Sequence, residues 1–186
     1  MNIRPHPTRL WGLMALASLL GLALAGCGDD DPAGPSPASI PELFGTQLLQ
    51  ADGATVGPEA LAGKPLIGIY YSSAGCPACA GFTPILLDTY HQLREDGRSF
   101  EVVLVSLGIS EASLLDYMVD SGMPWLAMPP QSNKATALVQ RYNVRWVPTL
   151  VIIDSEARLV SLTGREGVTE LGTAAYDAWL TASGGG

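Results

Sequence analysis

The chain is poor in cysteine, histidine and positive charge. Its 186 residues hold 3 cysteines, 2 histidines, and 10 lysines and arginines against 18 aspartates and glutamates, for a formal net charge of -8. So few basic residues leave nothing for a nucleic-acid surface, and that class of function is set aside. A closed zinc site wants four ligands, and few cysteines and histidines are at hand. No internal repeat divides the chain. What is present is a hydrophobic content of 47%, enough for a sizeable core in one domain with extensions.

The first 26 residues stand apart from the fold. Arg4 and Arg9 precede LWGLMALASLLGLALA, Leu10 to Ala25, and small residues then lead to Cys27. A basic start, an apolar run and a small-residue end make an export signal. Its end, Leu24-Ala25-Gly26-Cys27, resembles the bacterial lipoprotein signal, which implies cleavage before Cys27 and lipidation of Cys27. The other reading is an uncleaved anchor, since the run is nearly long enough to span a bilayer. Loss of residues 1–26 removes two arginines and no acid, leaving 8 basic against 18 acidic residues, or -10. Such a domain is not drawn to anionic lipid by its own charge. Acyl chains would have to hold it, at about 0.8 kcal/mol per buried methylene. Gly28 takes the place where an aspartate signals inner-membrane retention, which favours an outer membrane where the cell has one. The expected location is the cell envelope, facing the periplasm or exterior, where disulfides persist.

Residues 27–39 are acidic, proline-rich and without a large apolar side chain, so they read as a flexible tether. The folded domain is expected over 40–182 and a frayed tail over 183–186. Within the domain the patterns alternate. Thr46 to Gln50 reads as a strand, with a turn at Ala51-Asp52-Gly53. The short apolar runs Leu66 to Tyr71 and Glu101 to Leu107 read as buried strands. Pro77 to Glu95 has helical spacing at Leu86, Leu87, Tyr90 and Leu93. Ser110 caps a helix to Asp120. A shorter helix is expected over Asn133 to Tyr142. The strand Thr149 to Ile153 pairs with Arg158 to Leu162 across a turn, and Val168 to Leu180 is a final helix. This order gives an α/β fold with helices on both faces of a central mixed sheet.

The stretch YYSSAGCPACAGFTP, Tyr70 to Pro84, carries the chemistry. Cys76 falls where strand becomes helix. Pro77 suits the first helical position, where its missing N–H costs nothing. Cys76 is then the N-cap, and its sulfur can accept from N–H groups two or three residues on. The positive end of the helix also favours a thiolate there. At a free-thiol pKa of about 8.5 only a few per cent is ionised at neutral pH, and a shift to about 7 makes that roughly half. Cys79 lies one turn on, on the same face, within reach for a disulfide. This points to a redox pair, with Cys79 as the more buried, resolving partner. Two alternatives stand beside it. A metal site lacks ligands, because outside the signal only His91 joins the pair, 12 residues beyond Cys79 and about 18 Å along the helix. A permanent disulfide across so short a loop would constrain little of the unfolded chain.

Four pieces of the chain together resemble the thioredoxin fold, in its tryparedoxin and nucleoredoxin branch, over about Leu43 to Leu180. They are YYSSAGCPACAGFTP, FEVVLVSLGIS (Phe100 to Ser110), MPWLAMP (Met123 to Pro129) and RYNVRWVPTLVIID (Arg141 to Asp154). The resemblance implies that Pro148 is cis and packs against the two sulfurs. It implies that Val147 offers backbone groups to a bound substrate strand beside Pro77 and Ala78, and that Pro84 kinks the first long helix. Three positions depart from the family. Gly75 replaces the tryptophan usual before the first cysteine, and Trp146 is a candidate to fill the gap. Tyr70 stands where thioredoxin itself keeps a buried aspartate, which leaves water or a tyrosine hydroxyl to take the proton of Cys79. Gly108 stands where the branch often has an acid.

Trp125, Trp179, Met123 and Met128 are expected to pack in the core, and His91 to sit on a helix surface. The expected activity is thiol–disulfide oxidoreduction by a membrane-anchored envelope protein, with Cys76 attacking and Cys79 resolving. No cofactor or metal beyond the dithiol is expected. The expected partners are envelope proteins bearing thiols or disulfides and a membrane electron donor. A module that only holds a client strand at Pro148, or a metal chaperone, is the alternative, and the intact CPAC argues for turnover.

Overall fold

The computed structural model describes residues 38–184; Cys27, the export segment and most of the tether lie outside them. Ser39 opens the fold as the N-cap of α1, Ile40–Phe44. Its hydroxyl accepts from the Glu42 N–H, and the Glu42 carboxylate accepts from the Ser39 N–H at 2.7 Å. That reciprocal pair fixes a helix of only five residues, which has too little periodicity to be read in the sequence.

The sheet has seven strands. In chain order they are β1 Leu48–Leu49, β2 Thr55–Val56, β3 Leu66–Tyr71, β4 Phe100–Val105, β5 Leu126–Ala127, β6 Thr149–Asp154 and β7 Leu159–Ser161. Across the sheet the order is β2-β1-β5-β4-β3-β6-β7. β3 runs parallel to β4 and antiparallel to β6, so the sheet is mixed, as expected. The helices are α2 Pro77–Glu95, α3 Glu111–Asp120, α4 Asn133–Arg141, α5 Gly164–Leu171 and α6 Ala174–Ala182.

Both faces of the sheet are covered, which is why its central strands are apolar without alternation. Along β3, Leu66 and Tyr70 face one core with Leu86 and Leu93 of α2, Leu114 and Met118 of α3, and Trp179 of α6. Ile67, Ile69 and Tyr71 face the other core with Phe44 of α1 and Leu138 of α4. Each fully buried leucine in these cores contributes about 1.5–3 kcal/mol by leaving water. Trp125, Trp179, Met123 and Met128 are buried, and His91 is exposed, as expected.

Several boundaries differ from the sequence reading. The first strand shrinks to Leu48–Leu49, because it meets only two-residue partners in β2 and β5. The second buried strand stops at Val105 rather than Leu107. β5 was not anticipated, since two residues give no period to detect. The final helix is two helices. Gly172, at φ 54°, closes α5 by donating its N–H to the Val168 carbonyl, and α6 starts afresh at Ala174. Pro84 lies inside α2 without ending it. Among the described residues no helix is long and apolar enough to cross a membrane.

Candidate active site

The site sits where β3 gives way to α2. The Ser72 N–H donates to the Val105 carbonyl at 3.2 Å, prolonging the β3–β4 ladder by one residue. The chain then turns through Gly75, at φ 75°, a left-handed conformation that any side chain would strain. A tryptophan here would meet that strain, so glycine and this turn belong together. Cys76 follows as the N-cap of α2, with Pro77 at the first helical position.

The two cysteines are thiols in different surroundings. Cys76 is half-buried and accepts from the Cys79 N–H at 3.3 Å. Its pKa is lowered below the ordinary thiol value, first by a hydrogen bond from the Cys79 side chain, then by the backbone N–H groups of Cys79 and Ala78. Cys79 is wholly buried, and its pKa is raised, chiefly by that burial and then by its bond to Cys76. The Ser72 side chain and the Ser73 backbone beside the Cys79 sulfur temper the rise. One sulfur is thus poised as an anion at the surface, and the other is held as a thiol beneath it.

The Val147–Pro148 peptide is cis. Sheet register explains where it lies. Tyr71 of β3 pairs with Thr149 of β6, so Pro148, one residue before Thr149, stands beside Ser72, one residue after Tyr71. Val147 shares an apolar groove of about 260 Å³ with Ser72, Ser73 and Leu107. Pro77 and Ala78 are exposed at the helix tip. The structure therefore gathers Cys76, Cys79, Pro77, Ala78 and the Val147–Pro148 turn at one end of the sheet.

Trp146 does not fill the space opened by Gly75. It is 71% exposed and lines the grooves on either side of Val147 and Pro148. The cavity at Gly75, about 220 Å³, is bounded instead by Ser73, Cys76, Pro77, Tyr117 and Ser121 among others. Gly108 adopts φ 79° and carries no charge towards the site.

Sequence reasoning missed a row of hydroxyls beneath Cys79. The Ser72 hydroxyl donates to Tyr70 Oη at 3.1 Å and shares a hydrogen bond with Tyr117 Oη at 2.7 Å. Tyr70 Oη bonds Thr83 Oγ1 at 2.8 Å, and Thr83 in turn donates to the Cys79 carbonyl at 2.9 Å. Tyr70 is fully buried, and desolvation pushes its pKa up to about 12, so it is a neutral phenol at physiological pH. Ser72 and Thr83 lie within the cysteine stretch and could have been suspected from it. Tyr117 lies 45 residues from Ser72, and no local pattern links the two. Among the described residues no three His, Cys, Asp or Glu side chains are grouped so as to hold a metal ion.

Comparison with known proteins agrees with this geometry. Residues 63–159 match a family described as thioredoxin-like. Nucleoredoxin of Danio rerio is 34% identical over 139 residues, covering 74% of this chain and 32% of its own length. The chain thus spans about a third of the curated relatives it matches. Among solved structures, a thioredoxin from Wuchereria bancrofti has a TM-score of 0.63 at 34% identity, covering 75% of this chain and 97% of that one. Tryparedoxin from Trypanosoma brucei has a TM-score of 0.63 at 32% identity, covering 73% and 92% respectively. With its mixed sheet between two helical layers and its cysteine pair at the tip of α2, the chain has the thioredoxin fold and belongs to the thioredoxin-like family.

Proposed function

We propose that the chain is a thiol–disulfide oxidoreductase of the cell envelope, anchored through lipid on Cys27, that exchanges electrons with disulfides of envelope proteins. The observation that carries the redox reading is the opposed pair of sulfurs: Cys76 half-buried with its thiolate favoured, Cys79 buried with its thiol favoured, joined by the Cys79 N–H bond to Cys76 at 3.3 Å. A nucleophilic thiolate and a protected resolving thiol are what disulfide exchange needs.

The steps follow from that asymmetry. The Cys76 thiolate attacks one sulfur of a substrate disulfide; a Cys76–substrate disulfide forms, and the other substrate sulfur leaves as a thiolate and takes up a proton. Cys79 then loses its proton and attacks Cys76 Sγ. The Cys76–Cys79 disulfide forms, the second substrate sulfur leaves, and the substrate has gained two electrons. A membrane dithiol donor restores the reduced pair. The groove that Val147 shares with Ser73 gives an extended client strand a place, and Ser73 also lines the cavity at Cys76. The lipid anchor rests on the sequence around Cys27.

Cys76→Ser is expected to abolish turnover of a protein disulfide with the fold intact, as read by its thermal unfolding. Retained turnover refutes the assignment, and would leave a client-holding module as the reading. The direction of electron flow is fixed by the reduction potential of Cys76–Cys79 in thiol–disulfide buffers. A value near or below about -270 mV makes the protein a reductant, and one near about -120 mV makes it an oxidant.

A further inference from the structure

Resolution requires Cys79 to give up a proton from a site sealed against solvent. Cys79 is 0% exposed, and among the described residues no carboxylate, histidine or lysine bonds its sulfur. The side chain that eases its ionisation is Ser72, and the hydroxyl bonded most closely to Ser72 is Tyr117, at 2.7 Å. Tyr117 comes from α3 and is half-buried, unlike Tyr70. It also lines the 220 Å³ cavity that holds Cys76 and opens at Gly75.

We propose that Ser72 and Tyr117 form the proton exit of Cys79, a two-hydroxyl relay that runs from the buried sulfur to the cavity beside Cys76. The inference rests on the redox reading above. In the relay the Ser72 hydroxyl turns from Tyr70 to Tyr117; the thiol proton passes to Ser72 Oγ, the Ser72 proton to Tyr117 Oη, and the Tyr117 proton to water in the cavity. Each hydroxyl gains one proton as it loses one, so neither ionises, and the net change is Cys79 thiol to thiolate with one proton delivered to water. The high pKa of a buried phenol is no obstacle, because the phenol passes a proton rather than storing one. Ser72 touches the reacting sulfur. Tyr117 acts through it, as a positioning residue with an outlet.

Tyr70 provides the internal control. It bonds the same Ser72 oxygen, but its hydroxyl leads only to Thr83 and the Cys79 carbonyl. A relay therefore needs Tyr117 and not Tyr70, whereas a packing role would make the two phenols equivalent.

The full chain in detergent, reduced and mixed with the chromogenic disulfide dithionitrobenzoate, separates the steps. The first coloured thiolate reports attack by Cys76, and the second reports resolution by Cys79. Tyr117→Phe and Ser72→Ala are expected to leave the first phase unchanged and slow the second by about tenfold or more, the low end for assisted proton transfer because water can partly substitute. The second phase should also lose its solvent deuterium isotope effect and move to higher pH. Ser72→Thr, which keeps the hydroxyl, should restore it, and Tyr70→Phe should stay near the wild-type rate. An unchanged second phase in Tyr117→Phe overturns the relay, as does equal slowing in Tyr70→Phe. A wild-type chain that releases no second thiolate overturns the redox reading itself, and the relay with it.

Discussion

At the scale of single side chains, chemistry is decided by which partner each sulfur has. The largest influence lowering Cys76 is the hydrogen bond from the Cys79 side chain, and the backbone N–H groups at the helix tip come second. Cys79→Ala removes the first and leaves the second. Alkylation of Cys76 by iodoacetamide should therefore plateau, in the wild type, at a pH below the ordinary thiol range. In Cys79→Ala the profile should shift part of the way back towards that range, while Cys79→Ser, which still offers a donor, should shift less. The sign follows from the thiolate being the reactive form: a lowered pKa brings reactivity in at lower pH. A profile in Cys79→Ala that matches the wild type would assign the whole effect to the backbone. The roles of Cys76 and Pro77 were legible in the sequence because capping and first-turn proline are local. Tyr117 was not, because its bond to Ser72 joins an α3 residue to the end of β3.

At the scale of elements, the site depends on how closely α5 approaches β6, the strand that begins just after Pro148. Gly164, the first residue of α5, has no side chain where a Cβ would lie 2.7 Å from the Leu150 carbonyl oxygen and 3.0 Å from Ile152. Backbone cannot yield there as a flexible side chain could. Gly164→Ala should cost about 1–3 kcal/mol, as overpacking does, seen as a lower urea midpoint with an unchanged slope. Gly63→Ala is no fair control, since its φ of 71° adds strain of its own. Gly81→Ala is better: it meets nothing within 4 Å inside α2 and should stabilise slightly. The long, strongly patterned elements β3, α2, β4, α3 and β6 were legible to within a residue or two. The two-residue strands and the break at Gly172 were not. Pairing with neighbours defines the strands, and a single left-handed glycine defines the break.

At the scale of the whole molecule, net charge does not draw the chain to an anionic bilayer, since residues 27–186 hold 8 basic against 18 acidic residues. Net repulsion of this kind is screened by salt, whereas acyl burial is not. The two modes of membrane attachment therefore separate experimentally. Expressed in a bacterial host, the wild-type chain should enter the membrane fraction, resist release by high salt, and partition into detergent on phase separation. Cys27→Ser should be recovered uncleaved or soluble, without incorporated fatty acid, and with Cys76–Cys79 chemistry unaltered, since the domain from Ser39 onward forms its own caps and cores. Fatty-acid incorporation that persists in Cys27→Ser would remove the anchor from the proposal and leave the oxidoreductase reading standing. Reduction kinetics would add the remaining link: a tethered enzyme should discriminate between a membrane-bound and a free client disulfide, and removal of Cys27 should erase that preference without changing the rate on the free one.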